Sequence, residues 1–492
     1  MDTAPDPRRW FALVVIAIAQ LMVILDASIV NIALPQAQAD LNISMENRQW
    51  VVTAYTLAFG GLLLLGGRIA DYAGRKRVFI IGLIGFAGAS ALGGFAPNQG
   101  LLFAARGLQG MFAAILAPAA LSLISVTFTD SKERAKAFGV YGALSGAGAA
   151  IGLLAGGALT EYASWRWCLF VNVPMALIAV VLAIPNVRES RLEGKTKYDV
   201  PGALLSTLGF VSVVYGITKA ASPGYGWTSP TTIAFLAGGV ILLVLFVLFE
   251  SRSEQPLLPL SILVNRIRGG SFLAQFFLAA GLFGMFLFMT FYFQGVHGFS
   301  PIKAGLCFLP FSLGIIVSAG IASQLLPRVG PRPLGTIGLL MGSGGLLYLS
   351  QITNASSYFS SVFPAMLLMS LGLGMVFVTV SSTSLFNVPF YESGVASAVL
   401  NTTQQIGGSL GTAIFNTLAI SATAAYALAH PWTGAPPPPG MPPPDAATHG
   451  YSVAFQWGAG SMLLGAIIFF VMVNVDRHHL AQHDDVGAPA AI

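Results

Sequence analysis

Long apolar runs alternate with short polar segments along almost the whole chain. A helix that spans a membrane needs about 20 consecutive apolar residues. Fourteen stretches meet that requirement, at roughly 10–34, 49–67, 78–96, 100–126, 135–159, 165–185, 200–219, 231–250, 270–293, 303–326, 333–351, 358–382, 394–422 and 452–475. The pattern predicts an all-α polytopic membrane protein with fourteen spans and both termini on one side. The connecting segments are too short to hold a soluble domain. One is longer, the proline-rich "HPWTGAPPPPGMPPPDAATHG" between spans 13 and 14, which should be extended rather than helical. "MDTAPDPRR" leads into a run too long for a signal peptide, so the first run is expected to stay as an uncleaved span.

The basic residues between the runs fix the orientation. With the N-terminus cytoplasmic, nineteen of the 24 Lys and Arg fall on the inside. Four, Arg48, Arg166, Lys219 and Lys303, fall outside, and Arg106 lies within span 4. An excess this large on one side predicts both termini in the cytoplasm.

Composition agrees with lipid as the main solvent. The chain is 55% hydrophobic and 9% charged, against roughly 25% charged in soluble proteins. The net charge of +5 is spread over short loops, which speaks against a nucleic-acid surface. Cys168 and Cys307 sit in apolar runs without a spacing pattern, so neither a disulfide framework nor a zinc site is expected. "GKT" at 194–196 is not a phosphate loop, because Glu189 stands where its first glycine would be needed. A nucleotide-driven pump and an enzyme are both disfavoured, and no cofactor is expected.

Polar residues inside the spans carry the chemistry. Asp26, in "LDASIVNIALP", is a carboxylate in hydrocarbon, which costs several kcal/mol unless it is paired, solvated or protonated. It lies eight residues, about 12 Å, from the outer end of span 1. Arg106 lies six residues, about 9 Å, into span 4 from the same side. The matching depth predicts that the two meet, as a proton-handling site or as a fixed structural pair. Span 5 carries Gly148, Gly152 and Gly156 on one face, a surface for close helix approach or for a hinge. In span 9, "FGMFLFMTFYFQ" has Met and Phe on every side, so many should face lipid. Met285, Met289 or Tyr292 could instead line a greasy cavity. Asn401, Gln404 and Gln405 in span 13, with Gln49 and Tyr55 around span 2 and Gln109 in span 4, should bond between helices or face a substrate. His297, in an outer loop, is expected to be solvated only.

The segment "GGRIADYAGRKRVF", residues 66–79, resembles the signature loop of the major facilitator superfamily. Gly67, Asp71, Gly74, Arg75 and Lys76 match it, while Ile69 and Tyr72 depart from it. Asp71 is expected to cap span 3 or pair with a basic neighbour, and the basic residues to anchor at headgroups. "LDASIVNIALP", "WVVTAYTLAFG", "RGLQGMFAA", "WRWCLFVNVP", "FQGVHGFSPIKAGL" and "GVASAVLNTTQQIGGSLGTA" resemble successive segments of its fourteen-span drug:proton antiporter branch. The antiporter motif is matched by Gly148, Gly152, Gly156 and Gly157, with Leu153 in place of its proline.

This resemblance implies a six-helix bundle at 1–190, two inserted spans at 191–268 and a second bundle at 269–492. It implies alternating access, with Arg106 and Asp26 in proton coupling. The expected protein is a proton-coupled exporter of lipophilic drugs or secondary metabolites in a bacterial inner membrane, working as a monomer. Its partners would be a small lipophilic substrate, protons and membrane lipid. No acidic residue lies well inside spans 9–14, which favours neutral, zwitterionic or monocationic substrates over dications. An uncoupled facilitator, a symporter or a non-transporting receptor remain the alternatives.

Overall fold

The computed structural model describes residues 7–128, 130–191, 198–253, 256–388, 393–434 and 442–474. Lys195, Lys197, the "GKT" stretch, part of the proline-rich loop, Arg477 and the tail after it lie outside them. Every predicted run falls on helix, the sixth in two pieces, and the described residues contain no strand. In order these are α1 (Arg9–Asp40), α2 (Trp50–Ala73), α3 (Arg75–Gly94), α4 (Gln99–Thr127), α5 (Ser131–Tyr162), α6 (Asn172–Asn186) and α7 (Val200–Ala220). They continue with α8 (Pro230–Arg252), α9 (Arg266–Phe291), α10 (Pro301–Val329), α11 (Pro331–Leu349), α12 (Phe363–Ser384), α13 (Ser393–Ala429) and α14 (Pro444–Met472). Among the described residues, twelve segments are long and apolar enough to cross a membrane by length and composition. The runs at 135–159 and 333–351 correspond to α5 and α11, which are outside that twelve.

Helices are the expected solution for such runs, since a backbone in lipid must satisfy its own hydrogen bonds. Their ends are closed by short polar side chains. Asn98 caps α4, Asp130 caps α5, Asn265 caps α9 and Ser300 caps α10, each accepting from backbone N–H groups of the first turn. The boundaries differ from expectation in several places. α2 runs on to Ala73 and α13 to Ala429, and α14 begins at Pro444, so the end of the proline-rich segment is helical rather than extended. α1 continues six residues past Leu34, through Pro35 to Asp40. α6 is preceded by a separate turn at Trp167–Phe170, so the sixth run is broken at Val171.

The packing repeats with an offset of eight helices. In the first set α1 packs on α5 and α6, and α4 on α2 and α3, while α3 also touches α6. The last set reproduces this, with α9 on α13 and α14, α12 on α10 and α11, and α11 on α14. The turns agree as well. Gly74 between α2 and α3 and Gly330 between α10 and α11 both have positive φ, at 111° and 84°, which only glycine adopts readily. The sets meet where α2 packs on α13 and α5 on α10. α7 and α8 pair with each other, and α7 touches α2 and α13.

One large apolar core is built from α1–α6, with Ala398 of α13 packed against it. The other combines α9–α14 with the second half of α1 and residues such as Trp165 and Leu169. The sets are therefore fused at the end where α1 finishes, opposite the basic end that carries the α2–α3 turn. α9 is central rather than peripheral. Leu273 is its only exposed apolar side chain, so the expectation that much of it faces lipid is overturned.

Candidate functional site

A cavity of about 780 Å³ lies between the two helix sets. Gly67, Arg68 and Asp71 line it at the basic end, and Asn31 and Arg106 line its deep part. Beyond that depth the sets touch. Gln294 donates to the Ile32 carbonyl at 2.9 Å, the Ile302 N–H donates to Glu161 at 3.0 Å, and Arg48 Nε donates to Asn416 at 3.2 Å. A Cβ on Gly157 would lie 2.6 Å from Ile302 Cα, so α5 and α10 touch backbone to backbone there. The cavity is thus open toward the basic end and sealed at the far end.

Asp26 and Arg106 are 2.6 Å apart and fully buried. Helix length did not set the depth, since α1 runs on to Asp40, but the positions within the two helices brought the charges together. Asp26 Oδ2 accepts from Arg106 Nη1, and Oδ1 accepts from Gln109 Nε2 at 2.8 Å and from Asn172 Nδ2 at 2.7 Å. Arg106 also donates to Gln109 Oε1 at 2.8 Å and to the Val51 carbonyl at 2.9 Å. Ser90 completes the group, accepting from Gln109 at 2.6 Å and from Asn172 at 3.3 Å. Three donors thus converge on one buried carboxylate. Asn172 lies in "WRWCLFVNVP" and Ser90 in span 3, and a polar side chain in an apolar run is the sequence signal for both.

The cavity does not reach Asp26. Arg106 and Tyr55 stand on its wall, with the guanidinium 4.5 Å from the centre of the Tyr55 ring. The Tyr55 hydroxyl is buried and has no hydrogen-bond partner. Asn401, Gln404 and Gln405 of α13 line the wall that α9–α14 contribute, with Phe283 and Phe286 of α9. Gln109 lies behind the wall, within the charge network, which corrects its assignment to the cavity. Met285, Met289 and Tyr292 are also corrected. They are buried on the far side of α9, and Tyr292 donates to the Thr353 carbonyl at 2.7 Å. Phe283, Phe286 and Leu287 face the cavity in their place, because lipid-like side chains on every side of a helix hide which side meets the void.

The glycines of α5 face α1 beside Asp26. A Cβ on Gly148 would meet Ile24 at 2.9 Å, one on Gly152 would lie 1.9 Å from the Ser28 hydroxyl, and one on Gly156 would meet Ile29 at 2.9 Å. α5 runs unbroken through Leu153, whose carbonyl sits against Gly305 of α10.

At the basic end, Asp71 pairs with Arg75, with Nε–Oδ1 at 2.9 Å. The start of α3 is capped instead by Glu189, which accepts from the N–H groups of Lys76 and Arg77 at 3.1 Å each. Lys76 Nζ donates to the Ile184 carbonyl at 2.7 Å. The loop is therefore tied to the end of α6. Gln49 bonds between helices, donating to Thr218 of α7 at 2.7 Å. His297 is half-buried between Tyr292 and Phe299 rather than solvated. Its burial, and then the charge of Lys303, hold its pKa below the ordinary histidine value. Among the described residues no group of His, Cys, Asp and Glu could hold a metal ion.

Residues 16–412 match the sequence profile of the Major Facilitator Superfamily. The puromycin resistance protein pur8 of Streptomyces alboniger is 49% identical, over 96% of this chain and 92% of that one. The cephamycin export protein CmcT of Amycolatopsis lactamdurans is 36% identical, over 84% and 85%. The lincomycin resistance protein of Streptomyces lincolnensis is 32% identical, over 98% and 95%. Among solved structures, an inward-facing, unoccupied bacterial homologue of the human lysosomal transporter Spinster shares the fold. It has a TM-score of 0.65 at 15% identity, over 97% of this chain and 99% of that one.

Proposed function

The chain belongs to the major facilitator superfamily, and on that premise we propose that it exports a lipophilic antibiotic or secondary metabolite in exchange for protons. It is a membrane transporter and not an enzyme. In this reading α1–α6 and α9–α14 are two six-helix bundles, α7 and α8 are inserted, and all fourteen helices span a bacterial inner membrane. The basic end and both termini face the cytoplasm, and the monomer is the working unit.

The observation that carries the reading is the partition at Arg106 and Tyr55. Substrate in the cavity touches the guanidinium and the ring, while the carboxylate it neutralises is sealed behind them. A cavity open to the cytoplasm, with Asp26 matched by three donors, is the state expected after a proton has left inward and before a drug has loaded. Binding then favours closure of the basic end. After the far end opens, protonation of Asp26 releases Arg106 and weakens its hold, and the loaded proton drives the return. Amides and phenylalanines together on the α9–α14 wall suit a neutral or monocationic lipophilic compound.

The test is proton release from acid-loaded everted vesicles, with puromycin as the first compound because of the relative at 49% identity. Wild type should dissipate the gradient on adding substrate, and Asp26→Asn and Arg106→Ala should not. Accumulation that persists without proton release, and unchanged in Asp26→Asn, would overturn coupling. It would leave the uncoupled facilitator, the reading that Leu153 in place of the motif proline favours.

A further inference from the structure

Two carboxyl groups outside the cavity network are buried against each other at the basic end of the inserted pair. Asp199 caps α7, where Oδ1 accepts from the Gly202 N–H at 2.8 Å. Glu250 lies in the last turn of α8, where Oε2 accepts from the Leu258 N–H at 3.2 Å. Their other oxygens, Asp199 Oδ2 and Glu250 Oε1, are buried and have no hydrogen-bond partner. Both face one point over Gly202, where a Cβ would lie 2.6 Å from the first and 2.8 Å from the second. The residues are 6% and 3% exposed, and among the described residues neither forms an ion pair. Among the described residues, the nearby charged and titratable groups point elsewhere. Arg68 of α2 donates to the Pro256 carbonyl, Arg268 of α9 donates to the Ser261 carbonyl, and Arg252 and Tyr198 are exposed.

We propose that Asp199 and Glu250 form a second proton-binding site, separate from Asp26, that holds one shared proton and fastens the connector between α8 and α9. Two carboxylates facing each other in a buried place without a cation cannot both ionise. A hard metal ion is a poor occupant, because Ca²⁺ wants six to eight oxygens and amide donors already occupy one oxygen of each carboxyl. A proton bridging the two free oxygens satisfies both. Its position gives it a task. Glu250 holds Leu258, and the neighbouring Leu257 lines the cavity and packs on Leu65 of α2 and Ala203 of α7. Leu258 packs with Ile262 of the connector and with Phe272, Ala396 and Val399 of the other helix set. Loss of the shared proton to an alkaline cytoplasm leaves two repelling charges under this connector, which then loosens at the cavity wall. The site thus reports cytoplasmic pH to the inward-open cavity.

The test needs no transport, so its failure is distinct from failure of the coupling reading. Infrared difference spectra of the full-length protein in nanodiscs, taken between neutral and alkaline buffer, should show the loss of a protonated carboxylic acid C=O band. The band should be lost in the double variant Asp199→Asn/Glu250→Gln and kept in Asp26→Asn. In a Cys168→Ser/Cys307→Ser background, maleimide labelling of Leu257→Cys is compared with labelling of an exposed cysteine, so that thiol ionisation cancels. The normalised rate should rise about tenfold from acidic to alkaline buffer, the response to losing one charge-assisted hydrogen bond. It should be flat when the two carboxyls are amides. Absence of the band in wild type, its survival in the double variant, or an unchanged pH response of labelling would each overturn the proposal.

Discussion

Asp26 is surrounded by side chains that can only donate to it or be oriented by it, and the consequences of breaking the group are unequal. Arg106→Ala removes the cation and leaves a buried carboxylate with two amide donors. Breaking a buried pair in this way costs about 3–5 kcal/mol. Asp26→Asn leaves the guanidinium its contacts to Gln109, the Val51 carbonyl and the Tyr55 ring, so it should cost less. Thermal unfolding in detergent should rank wild type above Asp26→Asn and Asp26→Asn above Arg106→Ala. The reverse order would mean that the arginine, not the carboxylate, is the strained partner. The pairing could be read from the chain because a charge in hydrocarbon demands an opposite charge at its own depth. Gln109, Asn172 and Ser90 could not be assigned in the same way. A neutral polar residue in a span has many acceptable partners, and nothing in its spacing says which helix face it will meet.

At the scale of the helix, α9 separates what periodicity can reveal from what it cannot. Its length and apolarity announce a span, but lipid and protein interior demand the same side chains, so the sequence carries no mark of which side is which. The structure divides it into a packed face with Met285 and Met289 and a cavity face with Phe283 and Phe286. The two faces should respond differently. Met285→Ala empties a fully buried site and should lower stability by about 2–5 kcal/mol without changing the order in which substrates are preferred. Phe286→Ala should alter that order in a drug-resistance panel with a smaller loss of stability. If both variants changed preference equally, the assignment of faces would be wrong. α5 makes the complementary case, because its glycines were visible as a face and the contact partner was not. The contact is the turn of α1 that carries Asp26, so Gly152→Val drives a side chain into Ser28 and the Leu25 carbonyl. That variant should abolish transport while the protein still reaches the membrane, and transport at wild-type rate would show that α1 and α5 can part there without consequence.

For the whole molecule, the deciding question is what holds the far end shut. The seam is made of few polar contacts, and Arg48 is the most heavily engaged residue in it. It is 2% exposed, donates to Asn416, and lies 4.1 Å from the centre of the Phe291 ring. Asn416 in turn donates to the Met45 carbonyl at 3.0 Å. Counting basic residues assigned Arg48 to an outer loop, as a charge on the minority side, because a count by side does not distinguish a solvated arginine from one inserted into the opposite helix set. The same limit applied to the repeat. Gly74 and Gly330 share a backbone conformation at equivalent turns, yet the second turn lacks the acidic residue of the first, so the equivalence became visible only through packing. Arg48→Ala removes a charged hydrogen bond and a cation–ring contact from the closed seam and nothing from the open one. Hydrogen bonds to charged groups are worth about 1.5–3 kcal/mol, so the equilibrium should move toward an outward-open form by roughly 10–100-fold. Spin-label distances across the far end should lengthen in Arg48→Ala without substrate, while distances across the basic end shorten. If the far-end distances stayed at the wild-type value, closure would rest on the apolar contact of α5 with α10 at Gly157, and the polar seam would be a consequence of closure rather than its cause.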